Sequence, residues 1–226
     1  MNEIELPEMY GAGALHRIVD ALPPIERTYA RIRFAILRVK LLSVMDLLLP
    51  EEGTLLDIGC GFGLFAAYFA QTHPRRHIIG VDPNAARIEM AKNVAARLGL
   101  DQLEFRADDA RTVALEKSQQ LAGAYILDVM HHIPRAEQEP LLERLRDALA
   151  PGGVLIIKDI TTEPAFGLAF TAALDRLMVG FKEPLAYRHH REWAAVLTRM
   201  GFKVRMVRVP DFLPYPHVVI AARKTK

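Results

Sequence analysis

The sequence predicts an α/β fold: a seven-stranded, mostly parallel sheet with helices on both faces and an antiparallel last strand, preceded by an N-terminal helical extension. Three observations carry this expectation. At 55–65, LLDIGCGFGLF, an apolar run breaks into glycines at alternate positions, Gly59, Gly61 and Gly63. Apolar residues then resume at helical spacing, giving strand, tight turn and helix. Short apolar strands alternate with helical segments as far as residue 160, and such alternation requires parallel pairing through crossover helices. Four successive strand segments end in acids, at Asp82, Asp108 with Asp109, Asp128 and Asp159, and these gather at the sheet edge where open α/β sheets hold ligands.

Residues 1–50 form the extension. Within it, GAGALHRIVDALPP predicts a short helix ended by Pro23 and Pro24, and Pro24 can open the next helix, where its missing N–H removes no bond. From Ile25 to Leu49 neither Gly nor Pro interrupts, so one continuous helix is expected. Its apolar residues fall on two neighbouring lines, Ile25, Tyr29, Ile32, Ile36 and Val39 beside Phe34, Leu37, Leu41, Val44 and Leu48. Its polar part is basic: Arg27, Arg31 and Arg38 share one stripe, with Arg33 and Lys40 on another side. One reading is a solvated face on a helix packed across the core. The other is a lid whose arginines meet an anionic acceptor or lipid head groups at a membrane surface.

The second unit spans 51–226. After the glycine turn, HIIGVDPN (77–84) is a buried strand ending in Asp82, and the helix from Ala85 to Leu98 stops at Gly99. LEFRADDA (103–110) is the third strand, and AYILDVMHHIP (124–134) is a fourth, ending in the polar cluster Asp128, His131 and His132. A helix over 135–149 leads to the fifth strand, VLIIKDI (154–160). Residues 161–192 then break the rhythm with an amphipathic excursion at the ligand edge, a natural substrate cover. A helix through Met200, a strand over 201–209, a proline-bearing loop and a last strand over 217–224 close the chain. The short loop implies an antiparallel hairpin that brings Tyr215 and His217 toward the ligand edge.

The spacing of the glycines bears on the ligand. A dinucleotide fingerprint would place its third glycine at Leu64, whereas this chain reads DxGxGxG, which disfavours a pyrophosphate binder. Asp82 lies nineteen positions beyond Gly63, about where a carboxylate can accept hydrogen bonds from ribose hydroxyls. His131 and His132, adjacent on a turn, do not make a metal site without further ligands, and no metal is expected. The single Cys60 rules out an intramolecular disulfide or a multi-cysteine zinc site. A net charge of +2 argues against a nucleic-acid binder. No segment is long and apolar enough to span a bilayer, and MNEIELPEM is acidic rather than a basic leader, so a cytoplasmic location is expected.

In order, LLDIGCGFG, GVDPN, FRADDA, DVMHHIP, LAPGGVLIIKD, MGFKVRMV and PYPHVVIAARK resemble the class I S-adenosylmethionine-dependent methyltransferases, with their Rossmann-like sheet, over about residues 54–224. The resemblance implies S-adenosyl-L-methionine as cofactor and S-adenosyl-L-homocysteine as product. It implies that Asp57 and the turn Gly59, Cys60, Gly61 and Gly63 receive the methionine part of the cofactor, and that Asp82, beside Pro83, holds the ribose. Asp109 with the Ala110 backbone would recognise adenine. The family often has glycine before that acid, and here it is Asp108, which leaves two adjacent carboxylates for the contact. Asp128 and Val129 would line the methyl-donor side. For an acceptor that must lose a proton, His131 or His132 is the candidate base, and Tyr29, Arg33, Tyr187, His190 and Tyr215 are candidate acceptor contacts. The expected reaction is methyl transfer to a small or lipid-like acceptor. A catalytically silent partner subunit, a relative using the cofactor for another transfer, and a nicotinamide-dependent oxidoreductase are the alternatives.

Overall fold

The computed structural model describes residues 11–115, 120–163, 165, 167–168, 185–207 and 217–225. Helices α1 (Ala12–Ala21), α2 (Pro24–Leu37) and α3 (Val39–Leu48) precede β1 (Gly53–Ile58), α4 (Leu64–Thr72), β2 (Arg76–Asp82), α5 (Ala85–Leu98) and β3 (Leu103–Ala107). The chain continues with β4 (Leu121–Leu127), a single 3-10 turn at Met130–His132, α6 (Arg135–Ala148), β5 (Leu149–Ile160), α7 (His190–Arg199), β6 (Phe202–Val207) and β7 (His217–Lys224). The seven strands form one sheet in the order β3-β2-β1-β4-β5-β7-β6. Pairing is parallel from β3 through β5, and β7 runs antiparallel to both its neighbours, as the sequence predicted.

The uninterrupted apolar strands bury both sheet faces. Successive residues point to opposite sides, so Leu55, Ile78, Tyr125 and Ile156 join a core with α1 to α5, while Leu56, Ile79, Ala124 and Ile157 join a second core with α6 and α7. The N-terminal extension is part of the first core, into which Ile18, Leu22, Leu37, Leu42 and Met45 are fully buried.

The continuous helix expected over 25–49 is instead two helices meeting at Arg38, whose φ of 43° and ψ of 146° lie outside helical space. Such a conformation costs about 1–3 kcal/mol for a residue with a Cβ. The backbone ladder survives the break, because Arg38 N–H donates to the Phe34 carbonyl and the Arg38 carbonyl accepts from Leu41 N–H. The gain is that Leu37 on one side and Leu41 with Leu42 on the other all reach the core. The break also separates Arg38 from the stripe of Arg27 and Arg31. Arg27 is spent locally, donating from Nη2 to the carbonyls of Asp20 and Leu22 at the end of α1. Part of one expected apolar line faces outward, Ile25 being 82% and Ile32 48% exposed, whereas Val39 packs against the first core. Most of the expected 161–192 cover lies outside the described residues.

Candidate active site

A cleft of about 440 Å³ opens at the carboxyl ends of β1, β2 and β4. The strand order reverses between β1 and β4, so this is the switch-point crevice of an open α/β sheet. The glycine turn and the starts of α4 and α5 form one side. The segment 127–132 and two side chains of α2 form the other.

Within the turn, Gly59 and Gly61 do different work. A Cβ on Gly59 would come within 2.4 Å of Val129, so glycine there permits close packing of β1 against the segment after β4. Gly61, at φ +54°, has nothing within 4 Å of its Cβ position and faces the open cleft. Its N–H donates to Asp82 Oδ2 at 3.1 Å, and Asp82 Oδ1 accepts from Asn84 N–H at 2.9 Å, which fixes the acid between the turn and the start of α5.

Of the residues singled out in the sequence, Tyr29, Arg33, Gly59, Cys60, Gly61, Asp82, Pro83, Asp128, Val129, His131 and His132 line this cleft. Asp57, Gly63, Asp108, Asp109 and Ala110 do not. Gly63 caps α4 and packs against Phe105. Asp109 is held by Arg111 at 2.6 Å, and the Ala110 carbonyl accepts from Arg144, whereas the half-buried Asp108 contributes its N–H to the Asp82 carbonyl. The Tyr187 ring stacks on His131, centroids 5.1 Å apart, and His190 Nδ1 pairs with Thr161 Oγ1 at 2.8 Å. Tyr215 lies outside the described residues. The rings of the adjacent His131 and His132, on the 3-10 turn, sit 4.2 Å apart and both residues border the cleft.

Asp57 is buried beneath the turn, and burial lifts its carboxyl to about 8, although the nearby Tyr125 hydroxyl acts to lower it. An unfolded aspartate titrates near 4. Between about pH 4 and 8 the folded chain therefore keeps a proton that the unfolded chain has lost, and stability falls as pH rises through that window. Asp57→Asn is expected to remove this slope and to be more stable than the parent at pH 8 by about 1–3 kcal/mol. Melting curves from pH 5 to 8 check this: parallel pH dependence in the two proteins would refute it.

Asp128 is the centre of a charged cluster. Its φ of 54° is a left-handed conformation for a residue with a side chain. Lys158, fully buried, donates to Oδ1, and Arg33 donates from Nη2 to Oδ2 at 3.2 Å. Burial alone would raise Asp128, but Lys158 and then Arg33 outweigh it and hold the carboxyl well below the usual range. His217 is pushed down to about 3, by burial first and Lys158 second, and stays neutral. Next to this cluster, His131 Nδ1 lies 2.5 Å from Asp159 Oδ1, with both residues buried, and the Ile160 N–H also donates to that oxygen at 2.8 Å. Gln138 Nε2 brackets the turn by donating to the carbonyls of Met130, Ile133 and Ala186. Lys158 and Gln138 carried no functional signal in the sequence: one sits in an apolar strand, the other in an amphipathic helix.

The cofactor implied by the motifs presents an amino-acid end, a sulfonium and a ribose diol. The donor set fits it: Gly61 leaves its approach open, and Asp82 is fixed at the cleft edge with lone pairs beyond the two backbone bonds it accepts.

Residues 55–153 match a family model described as a methyltransferase domain. A ubiquinone biosynthesis O-methyltransferase of Brucella anthropi is 33% identical over 126 residues, 55% of this chain and 48% of that protein. A trans-aconitate 2-methyltransferase of Methylobacterium radiotolerans is 36% identical over 115 residues, 50% of this chain and 41% of that protein. The chain thus spans about half the length of the curated relatives it matches. In fold, it is similar to the 1,6-didemethyltoxoflavin-N1-methyltransferase of Burkholderia thailandensis, solved with S-adenosylhomocysteine. The TM-score is 0.68 at 19% identity, covering 100% of this chain and 94% of that one. Residues 55–153 thus carry a methyltransferase domain, and the motif order and the 3-2-1-4-5-7-6 sheet are similar to those of the class I S-adenosylmethionine-dependent methyltransferases.

Proposed function

We propose that the protein transfers a methyl group to a hydroxyl oxygen of a small acceptor and that His131 takes the hydroxyl proton. The observation that carries this reading is the buried His131–Asp159 pair beside the glycine turn. When bound, S-adenosylmethionine supplies an electrophilic methyl group. Asp82 would accept hydrogen bonds from the ribose hydroxyls, and the turn at Gly59–Gly61 would receive the methionine end beside Val129, with Asp57 supporting the turn from below. For adenine, Asp108 is favoured over Asp109, since Arg111 already occupies Asp109. With Nδ1 of His131 donating to Asp159 Oδ1, Nε2 is the basic nitrogen of the neutral ring. The carboxylate also stabilises the imidazolium that forms as the acceptor ionises. Gln138 and the stacked Tyr187 hold the ring in place, and holding reactants at attack distance is itself worth about 7–11 kcal/mol of barrier. Relatives named for O-methylation and for a small-molecule acceptor support this reading.

A lipid-like acceptor is the second reading, supported by Ile25, Tyr29 and Ile32 exposed along α2 next to the cleft that Tyr29 lines. Incubation of the purified protein with radiolabelled donor and a cell extract tests both. Base-stable label among small polar molecules is the expected result, and label in the organic fraction would favour the second reading. Base-labile or macromolecular label, or none, would refute hydroxyl methylation. In parallel, Asp82→Ala is expected to weaken S-adenosylhomocysteine binding at least about ten-fold by calorimetry, through loss of charge-assisted hydrogen bonds. Unchanged affinity would remove Asp82 from the cofactor site.

A further inference from the structure

Resting on the methyltransferase reading above, we infer that the acceptor carries a carboxylate apart from its reacting hydroxyl, and that Arg33 seats it. Arg33 enters the cleft from α2, outside the segment that matches the family, and its side chain is 17% exposed. Its hydrogen bond among the described residues is the single one to Asp128 Oδ2, and its guanidinium carbon lies 5.8 Å from the centre of the Phe65 ring. A guanidinium carries five N–H donors in a rigid fork, so most of this fork is left for a ligand, in the geometry that binds carboxylates.

Asp128 does not need Arg33 as its counter-ion. Lys158 already donates to its other oxygen from a fully buried position, so two cations share one carboxylate. The other acid beside Lys158, Asp159, is committed to His131 and to the Ile160 N–H, and His217 is neutral. Arg33 can therefore turn part of its fork to an incoming anion while Asp128 stays paired. A half-buried cation with spare donors in a cleft is a site for negative charge.

That anion is an anchor rather than the methylated group. A carboxylate is already ionised at neutral pH and gives a base nothing to remove, whereas the buried His131–Asp159 pair is built to accept a proton. The walls near Arg33 are aromatic: Tyr29 meets Phe62 edge to face, with centroids 5.4 Å apart, and Phe65 lies under the guanidinium. Such walls suit a planar skeleton. The acceptor class is a planar hydroxy acid.

The test is calorimetry on the complex with S-adenosylhomocysteine, comparing 3-hydroxybenzoate with 3-methylphenol, which differ by carboxylate for methyl. The hydroxybenzoate is expected to bind at least about ten-fold tighter. Arg33→Met should abolish the difference with S-adenosylhomocysteine affinity unchanged, which also shows the variant is folded, and Arg33→Lys should restore part of it. Equal affinities, binding of neither compound, or an acid preference that survives in Arg33→Met would overturn the inference. Weaker S-adenosylhomocysteine binding in that variant would overturn it too, by assigning the guanidinium to the cofactor. Failure of the parent protein to bind S-adenosylhomocysteine would instead overturn the methyltransferase reading on which it rests.

Discussion

His131→Ala is expected to lower methyl-transfer turnover by about 10²–10⁴-fold, the range of a positioned general base, with S-adenosylhomocysteine affinity within about two-fold of the parent. The separation matters because His131 is buried and its backbone is bonded to the segment at Ala186, so a structural role would move cofactor affinity and melting temperature together. Three further readouts distinguish a base from a packing residue. The rise of rate with pH that reports deprotonation of the imidazole should vanish in the variant. Acceptors with more acidic hydroxyls should lose less. Asp159→Asn should lose turnover as well, because an amide can hold the ring with the proton on the wrong nitrogen. An unchanged pH profile in His131→Ala would exclude the assignment.

What the sequence made legible is what local chemistry decides. The glycine turn, Asp82 at the end of β2, the start of α5 with its Gly99 stop, and β7 at 217–224 all follow from side-chain period and turn residues. Partnerships across the sheet were not legible. His131 and Asp159 were both visible at strand ends, but nothing local joins residues 28 positions apart. In the sequence Arg27 and Arg33 are both arginines of one basic helix. In the fold, Arg27 closes the end of α1, while Arg33 finds Asp128, 95 positions away. The break at Arg38 has no Gly or Pro to announce it and is decided by which leucines reach the core. Lys158 is hidden by its neighbours, because a lysine in an apolar strand carries no sign of an acid just past the end of the adjacent strand.

Arg76 makes the same point about stability. The sequence offers it as one of two arginines before a strand, yet it is fully buried where α3, α4 and β2 meet. It pairs with the buried Asp46 of α3 and donates to the carbonyls of Asp46 at 2.9 Å, Pro50 at 2.7 Å and Phe69 at 3.1 Å. These carbonyls lie at or just beyond the ends of α3 and α4, where positive charge is favourable, and the Phe69 carbonyl also accepts from the His73 N–H. One guanidinium thus closes two helices and neutralises an acid. Arg76→Met leaves Asp46 buried with the hydroxyl of Thr72, at 2.9 Å, and the ring of His73, at 3.3 Å, beside it but no guanidinium, and takes the donor from the Asp46 and Pro50 carbonyls. Breaking a buried pair from one side costs about 3–5 kcal/mol, which for a chain of this size lowers the melting temperature by roughly 6–20 °C. Arg76→Lys should recover only part, since an ammonium has three donors and no fork to span both helix ends. Arg76→Met combined with Asp46→Leu should be more stable than Arg76→Met alone, because the uncompensated charge is gone, but still below the parent, because the Asp46 and Pro50 carbonyls have lost their guanidinium donor. If the double variant melts no higher than the single one, the destabilisation comes from the helix ends and not from the buried charge.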